Sequence, residues 1–416
     1  MLGRSSTVSL SEALRLMLLH LRPAGREEKL VTLEEALGRI TSKDILSPED
    51  LPAYSRSTMD GYAVRARDTF GASESLPAYL EITGEVRMGE LPADGPAPGT
   101  CFKIATGGII PPGADAVVML EHTVCVDEQM VEIIQPVAQG GNVIIAGEDV
   151  EKGQVLIEKG HKLRPQDLGL LAGLGIVRLS VEKKIRVGII STGDELVPFS
   201  EIPQPGKIRD INSVNLSALT RQAGALPTYY GIVPDDESML SKVARKALDE
   251  NDLMLFSGSS SVGAHDIGER VIDTLGSPGV IVHGVSIKPG KPVIIAVAKG
   301  KPVFGLPGHP VSASVAFELF VLPALKHIAG IKDPGFRAWP TVQAKIMRNV
   351  NSAPGRTDFV RVEIRTSSDK KEVEAYPVLG KSGAISTLVK ADGYVVINEN
   401  KQGIREGEAV EVRLFS

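Results

Sequence analysis

Arg186-Val-Gly-Ile-Ile-Ser-Thr-Gly-Asp-Glu195 is a short apolar strand that runs straight into a loop of two hydroxyls, a glycine and two acids. An apolar run without polar alternation belongs to a strand buried on both faces. The same signature returns downstream. Thr228 to Val233, Leu253 to Phe256, Val280 to Ser286, Pro292 to Ala298 and Pro302 to Leu306 read as strands. Between and after them, Asn212 to Ala223, Asp236 to Asp249, Asp266 to Leu275 and Pro310 to Ala329 read as helices. In the second of these, the apolar pairs Met239/Leu240, Val243/Ala244 and Ala247/Leu248 recur at helical spacing. Strands alternating with helices predict a doubly wound, mostly parallel α/β sheet, whose ligands sit at the carboxyl ends of the strands.

Outward from this unit the pattern changes. Residues 50 to 160 are β-rich, with Tyr79 to Val86, Ala116 to Leu120 and Met130 to Ile134 as clear strands. Leu163 to Gly175 reads as one short helix, with Pro165 in its first turn and Gly175 as its stop. Near the start, Ser9 and Glu12 read as a capping box for an amphipathic helix. Asp333 to Arg337 reads as a linker, and from Trp339 onward the chain is β-patterned again, with turns at Ala353 to Gly355, Ser367 to Asp369 and Asn398 to Asn400. The 416 residues thus form a multidomain α/β plus β protein.

Composition excludes several classes. The chain has 46 Lys plus Arg against 51 Asp plus Glu, a net charge of −5, which argues against a general polyanion binder. Aromatic residues are 4%, with a single Trp339, too few for a single-strand stacking platform. Cys101 and Cys125 form no CxxC pair and read as two buried small hydrophobes, and the seven histidines form no HExxH or HxH. No apolar run approaches the roughly 18 residues of a bilayer span, so a soluble cytoplasmic protein is expected.

Several loops carry chemistry, each against the competing reading of a plain solvated turn. Ser191 to Glu195 places Asp194 and Glu195 beyond a strand end. Ser257-Gly-Ser-Ser-Ser-Val-Gly263 joins a buried strand to a helix, where Ser257, Gly258 and Gly263 suit an anion at a helix N-terminus; it lacks the Gly-Lys-Ser/Thr of a Walker loop. Asp266 and Glu269 also fit a helix cap. Lys288-Pro-Gly-Lys-Pro292 holds two ammonium groups on a stiff turn, and Gly305 to Ser312 is a second strand-to-helix loop, in which His309 reads as a turn filler more readily than as a base. Ser57 to Ala63 is polar around Asp60, and Thr106 to Asp115 is rich in Gly and Pro. Arg356 to Arg361 and Lys381 to Ser386 supply cations and hydroxyls.

The ordered set resembles the molybdopterin molybdenumtransferase family, MoeA in bacteria and the E domain of gephyrin in animals. The matching segments are Met59 to Ala63, Ala105 to Gly108, Pro112 to Val117, Gly147 to Asp149, Ser191 to Leu196, Ile208 to Ser213, Val233 to Asp236, Lys288 to Pro292, Gly305 to Gly308 and Ser382 to Ser386. The resemblance implies four domains: residues 1–29 with 184–332 as the α/β molybdopterin-binding domain, 30–49 with 146–183 as a small linker domain of the arm, 50–145 as the β-rich arm, and 333–416 as a C-terminal β-barrel. It implies a homodimer whose cleft is shared between subunits, with transient contacts to a molybdopterin adenylyltransferase and to cofactor-accepting apo-enzymes, and with neither nucleic acid nor membrane as partner.

The implied reaction is Mg²⁺-dependent insertion of molybdate into adenylylated molybdopterin, with release of AMP. By family position, Lys288, Lys291, Ser312, Arg361 and Ser382 would hold the oxyanion, with Arg356 and Ser386 as alternatives. Glu195, Asp235 and Asp266 would serve Mg²⁺, while Asp60 and Thr106, with Asp149 less strongly, would enter from the partner subunit. Ser259, Ser260, His309 and Asp392 depart from the usual Gly, Val, Asn and Asn. A tungstate-preferring member, a non-catalytic oligomeric scaffold, and a nucleotide-processing enzyme sharing only the α/β domain are the rival readings.

Overall fold

The computed structural model describes residues 7–21, 27–258, 264–331, 340–366 and 372–415, and only the backbone of 264–266. The linker Asp333 to Arg337, Trp339, the turn at Ser367 to Asp369, and Ser259, Ser260 and Gly263 lie outside the described residues.

The α/β unit contains α1 (Leu10–His20), β1 (Arg186–Thr192), α2 (Asn212–Gln222), β2 (Leu226–Val233), α3 (Glu237–Glu250), β3 (Leu253–Ser257), α4 (Ala264–Thr274), β4 (Pro278–His283), β5 (Ile294–Ala298), β6 (Lys301–Leu306) and α5 (Pro310–Ile328). The sheet order is β2-β1-β3-β6-β5-β4. The first four strands are parallel, and β5 and β4 close one edge antiparallel, giving the expected mostly parallel sheet.

Strand periodicity explains the two cores. In β3, Leu253 and Leu255 face the layer holding Ala13 and Met17 of α1, Leu216 of α2 and most of α5. Met254 and Phe256 face the opposite layer, with Leu240 and Ala244 of α3 and Val271 and Ile272 of α4. Every residue of β3 is buried, and each such large apolar side chain contributes about 1.5–3 kcal/mol. Of the repeating pairs in α3, Leu240 and Ala244 enter the core while Met239 is exposed, because a helix presents only one stripe to a sheet.

Local signals held in part. Ser9 caps α1, accepting from Glu12 N at 3.2 Å, but the Glu12 carboxylate pairs with Arg15 instead of returning to the cap. Because α4 opens at Ala264, Asp266 stands in its first turn rather than at its N-cap. Helix α5 corrects the reading that no apolar run approaches membrane-spanning length. It is 19 residues long and apolar enough by composition, but 78% of its window is buried, as suits a core helix.

The arm carries a six-stranded sheet in the order Ala116–Met119, Gly61–Val64, Thr100–Ile104, Ala78–Val86, Met130–Ile133, Thr123–Cys125. Cys101 is buried in its core, and desolvation pushes the thiol up to about 12. Cys125 is exposed, contrary to expectation, because it ends an edge strand with its sulfur toward the Asp127 carbonyl. A smaller unit pairs Glu28–Thr32 with Arg178–Glu182 and packs Leu171 of helix Pro165–Gly173 against Val31, Leu163 and Leu179.

At the C-terminal end, Thr341–Ile346, Thr357–Thr366, Val373–Pro377, Gly393–Ile397 and Ala409–Leu414 close into a five-stranded barrel. Ile287–Lys288 of the α/β unit adds to it in parallel, pairing with Thr357 and Asp358. That addition sets the barrel over the carboxyl edge of the sheet.

Candidate active site

A cleft of about 1350 Å³ opens where β1, β3 and β6 end and the barrel leans over them. Its lining holds six Lys or Arg residues against three carboxylates, so the cleft is locally cationic in a chain of net charge −5.

A buried polar frame supports its floor. Asp210 accepts from Ser191 Oγ at 2.7 Å, from the Tyr229 hydroxyl at 2.7 Å and from Ser213 N at 3.0 Å. Burial and the Asp210 carboxylate push the Tyr229 phenol up to about 12. Asn212 Nδ2 donates to Ser257 Oγ at 2.8 Å and to the Gly308 carbonyl at 2.9 Å, which ties together the two strand-to-helix loops. Gly258 has φ +106°, and a Cβ there would lie 2.0 Å from the Thr192 carbonyl oxygen, so only glycine fits.

The walls come from the turn after β4 and from the barrel. Lys288 Nζ lies 3.9 Å from Asp358 Oδ2, and Arg356 grips the same buried carboxylate at 2.8 and 3.3 Å. Lys291 lines the cleft and forms no ion pair among the described residues. Arg361 donates to Thr387 Oγ1 at 2.6 Å and to the Gly380 carbonyl at 2.8 Å, while its buried Nε has no hydrogen-bond partner among the described residues. Burial depresses this guanidinium. Ser312, in the first turn of α5, is buried at the cleft wall, and Ser382 Oγ lies 3.0 Å from His309 Nδ1.

Of the expected site residues, Glu195, Ser257, Gly258, Lys288, Lys291, Ser312, Arg356, Arg361 and Ser382 share this cleft. Ser386 does not: it is exposed at the start of the short helix Ser386–Val389, and Thr387 beside it turns inward to Arg361 instead. Asp235 stands just outside the lining, its N–H directed to Asp194 Oδ1 at 3.2 Å. Burial, and then the charges of Asp194 and Glu195, push its carboxyl up. The Asp266 side chain and Gly263 lie outside the described residues. Asp60 and Thr106 meet each other on the arm, where Asp60 accepts the Thr106 N–H at 2.7 Å and its hydroxyl at 3.0 Å, holding the carboxyl below its usual range. Neither they nor Asp149 line the cleft of their own chain. Asp210, Asn212 and Asp358 were not singled out by sequence; only the segment Ile208 to Ser213 flagged the first two, without roles.

Three family profiles match in order: "MoeA N-terminal region (domain I and II)" over residues 8–175, "Probable molybdopterin binding domain" over 188–327, and "MoeA C-terminal region (domain IV)" over 343–415. A Methanocaldococcus jannaschii protein is 41% identical over 94% of this chain and 93% of its own. The molybdopterin molybdenumtransferase of Bacillus subtilis is 33% identical over 100% of this chain and 96% of its own. The solved structure of the molybdopterin biosynthesis moeA protein from Pyrococcus horikoshii OT3 matches with TM-score 0.85 and 34% identity, covering 99% of this chain and 100% of that one. With the α/β sheet, the arm, the barrel and the cationic cleft all in place, the chain belongs to the MoeA family, the molybdopterin molybdenumtransferases of molybdenum cofactor biosynthesis.

Proposed function

We propose that this enzyme inserts molybdate into adenylylated molybdopterin, cleaving the adenylate and releasing AMP. The observation that carries the reading is the unmatched donor capacity of the cleft. Lys291, which forms no ion pair among the described residues, lines a volume large enough for a pterin phosphate and a tetrahedral dianion, and the Arg361 guanidinium, held by Thr387 and Gly380, adds its positive charge to the wall. Lys288, Ser312 and Ser382 complete the set of donors around the oxyanion.

The residues present also fit Mg²⁺. Burial first, and then the neighbouring charges of Asp194 and Glu195, raise the Asp235 carboxyl, and a hard cation would offset the repulsion among the three. Among the described residues no group of three His, Cys, Asp or Glu forms a ready metal site, so Mg²⁺ held here would need further oxygens from water and phosphate. Glu195 and Asp235 would hold it, with Asp266, and when bound it neutralises charge on the phosphate oxygens. The Ser257–Gly258 backbone, fixed by Asn212, would orient the AMP phosphate.

The active unit in this reading is a homodimer in the cytoplasm. Asp60 and Thr106 do not line their own cleft, and the cleft-lining Ile208 and Ile211 stand exposed, an apolar surface that a second copy would cover. A molybdopterin adenylyltransferase would deliver the substrate, and cofactor-accepting apo-enzymes would receive the product. The test is turnover of adenylylated molybdopterin with molybdate and Mg²⁺. Asp60→Ala, Glu195→Ala and Asp266→Ala are expected to fold normally and to lose AMP release. Near wild-type rates in all three would overturn the reading, and a strong preference for tungstate would reassign the oxyanion.

A further inference from the structure

Besides the Ile287–Lys288 strand pairing, the seam between the α/β unit and the barrel is stitched at the start of α5. The Ser382 carbonyl accepts the N–H of Val311, and the Ser382 hydroxyl lies 3.0 Å from His309 Nδ1. The first bond satisfies one of the amides that every helix leaves open at its start, so the barrel loop caps α5. His309 occupies the N-cap position of α5 but makes no side-chain bond to that helix, and its ring nitrogen is directed at Ser382 instead. The imidazole edge also rests beside Gly383, where an added Cβ would lie 3.5 Å from Cδ2 and 3.8 Å from Nε2. The ring is therefore held by contacts on the barrel loop as well as by its own backbone.

A serine hydroxyl has one proton and two acceptor lone pairs on a free rotor. Only the proton helps to bind an oxyanion; a lone pair turned toward the anion repels it. If Nδ1–H donates to Ser382 Oγ, that oxygen is occupied as acceptor and its own O–H is released toward the cleft. We infer that His309 is a positioning residue for the oxyanion: through Nδ1–H it sets the Ser382 hydroxyl as a donor to the bound tetrahedral anion. This rests on the reading of the cleft as an oxyanion site. Lining the same cleft as His309 are Lys288 and Lys291 of the turn, Arg356 just before the barrel strand, Asp358 and Arg361 within it, and Lys381 of the loop itself. Asp358 is already paired with Arg356 and Lys288, so the surroundings favour an anion as the acceptor of the Ser382 proton.

Molybdate titration calorimetry on the full-length protein, with AMP titrated in parallel, tests the inference. His309→Ala should weaken molybdate about tenfold and leave AMP within about twofold, the scale of one hydrogen bond to a charged group. Asn carries an amide nitrogen where Nδ1 stands, whereas Gln reaches the position of Nε2. His309→Asn should therefore restore affinity and His309→Gln should not. The double variant His309→Ala/Ser382→Ala should bind no more weakly than Ser382→Ala alone, since both act on one hydroxyl. Equal rescue by Asn and Gln, additive losses, or an unchanged His309→Ala affinity would overturn the inference while leaving the oxyanion reading intact. No molybdate binding by the wild type, with or without AMP, would remove that reading and the inference with it. If His309→Ala fails to fold, the Asn and Gln variants decide the matter alone.

Discussion

At the residue scale, two side chains with similar surroundings have different fates. Lys291 is exposed in the cleft and forms no ion pair among the described residues, whereas Lys288 leans toward Asp358, which Arg356 also holds. Lys291→Ala should therefore weaken molybdate by about 1.5–3 kcal/mol with little loss of AMP affinity, as read by titration calorimetry. Equal losses for both ligands would mean that it only sets the field of the cleft. Glu318 presents a different problem. It sits in the π-helical turn Phe317–Val321 of α5, with Oε2 buried and unpartnered among the described residues, and burial pushes its carboxyl from about 4.5 up to about 8. Between those values the unfolded chain has released the proton while the folded one retains it. Stability therefore falls as pH rises through that window and levels off above it. Glu318→Gln should gain on the wild type from pH 5 to pH 8, by an amount on the order of 1–3 kcal/mol, in urea denaturation at each pH. A constant difference across that range would contradict the buried neutral carboxyl.

At the element scale, the cleft depends on strand-to-helix loops whose backbone passes close to neighbouring strands. Gly258 follows β3 directly and packs against the Thr192 carbonyl of β1, and Asn212 at the start of α2 ties Ser257 to Gly308. Gly258→Ala forces a Cβ to within 2.0 Å of that carbonyl oxygen and disfavours φ +106°. It should cost at least about 2 kcal/mol of stability and sharply weaken AMP binding, checked by denaturation and calorimetry on one preparation. A stable variant with normal AMP affinity would mean that the loop is not the phosphate seat.

At the scale of the whole molecule, the barrel joins the α/β unit through the Ile287–Lys288 strand pairing and the Ser382 contacts with α5, so the cleft exists only when both are folded. The arm holds Asp60 and Thr106 away from this cleft. Asp60→Ala and Glu195→Ala homodimers should both be inactive. In a mixed population, half of the dimers are hybrids in which one cleft carries both changes and the other neither. Mixing should thus return about a quarter of wild-type activity. Persistent inactivity after verified subunit exchange would place both carboxylates in one chain's cleft and remove the shared site.

The apolar runs of β1 and β3, the four-residue spacing in α3 and the loop chemistry at 191–195, 257–258 and 288–292 are local properties, and they made the α/β sheet and the cations of its edge legible in the sequence. The barrel was legible only as β pattern, because its closure depends on Thr357–Thr366 pairing with both Val373–Pro377 and Gly393–Ile397. Folding alone committed Arg356 to Asp358, turned Thr387 rather than Ser386 toward Arg361, brought His309 to Ser382 and enlisted Asp210 and Asn212 as the buried frame. Secondary structure is written in nearest-neighbour periodicity, which one chain displays by itself. Which polar atoms find partners depends on contacts between residues far apart in the chain, such as Asn212 and Gly308 at 96 positions, and only packing brings those together.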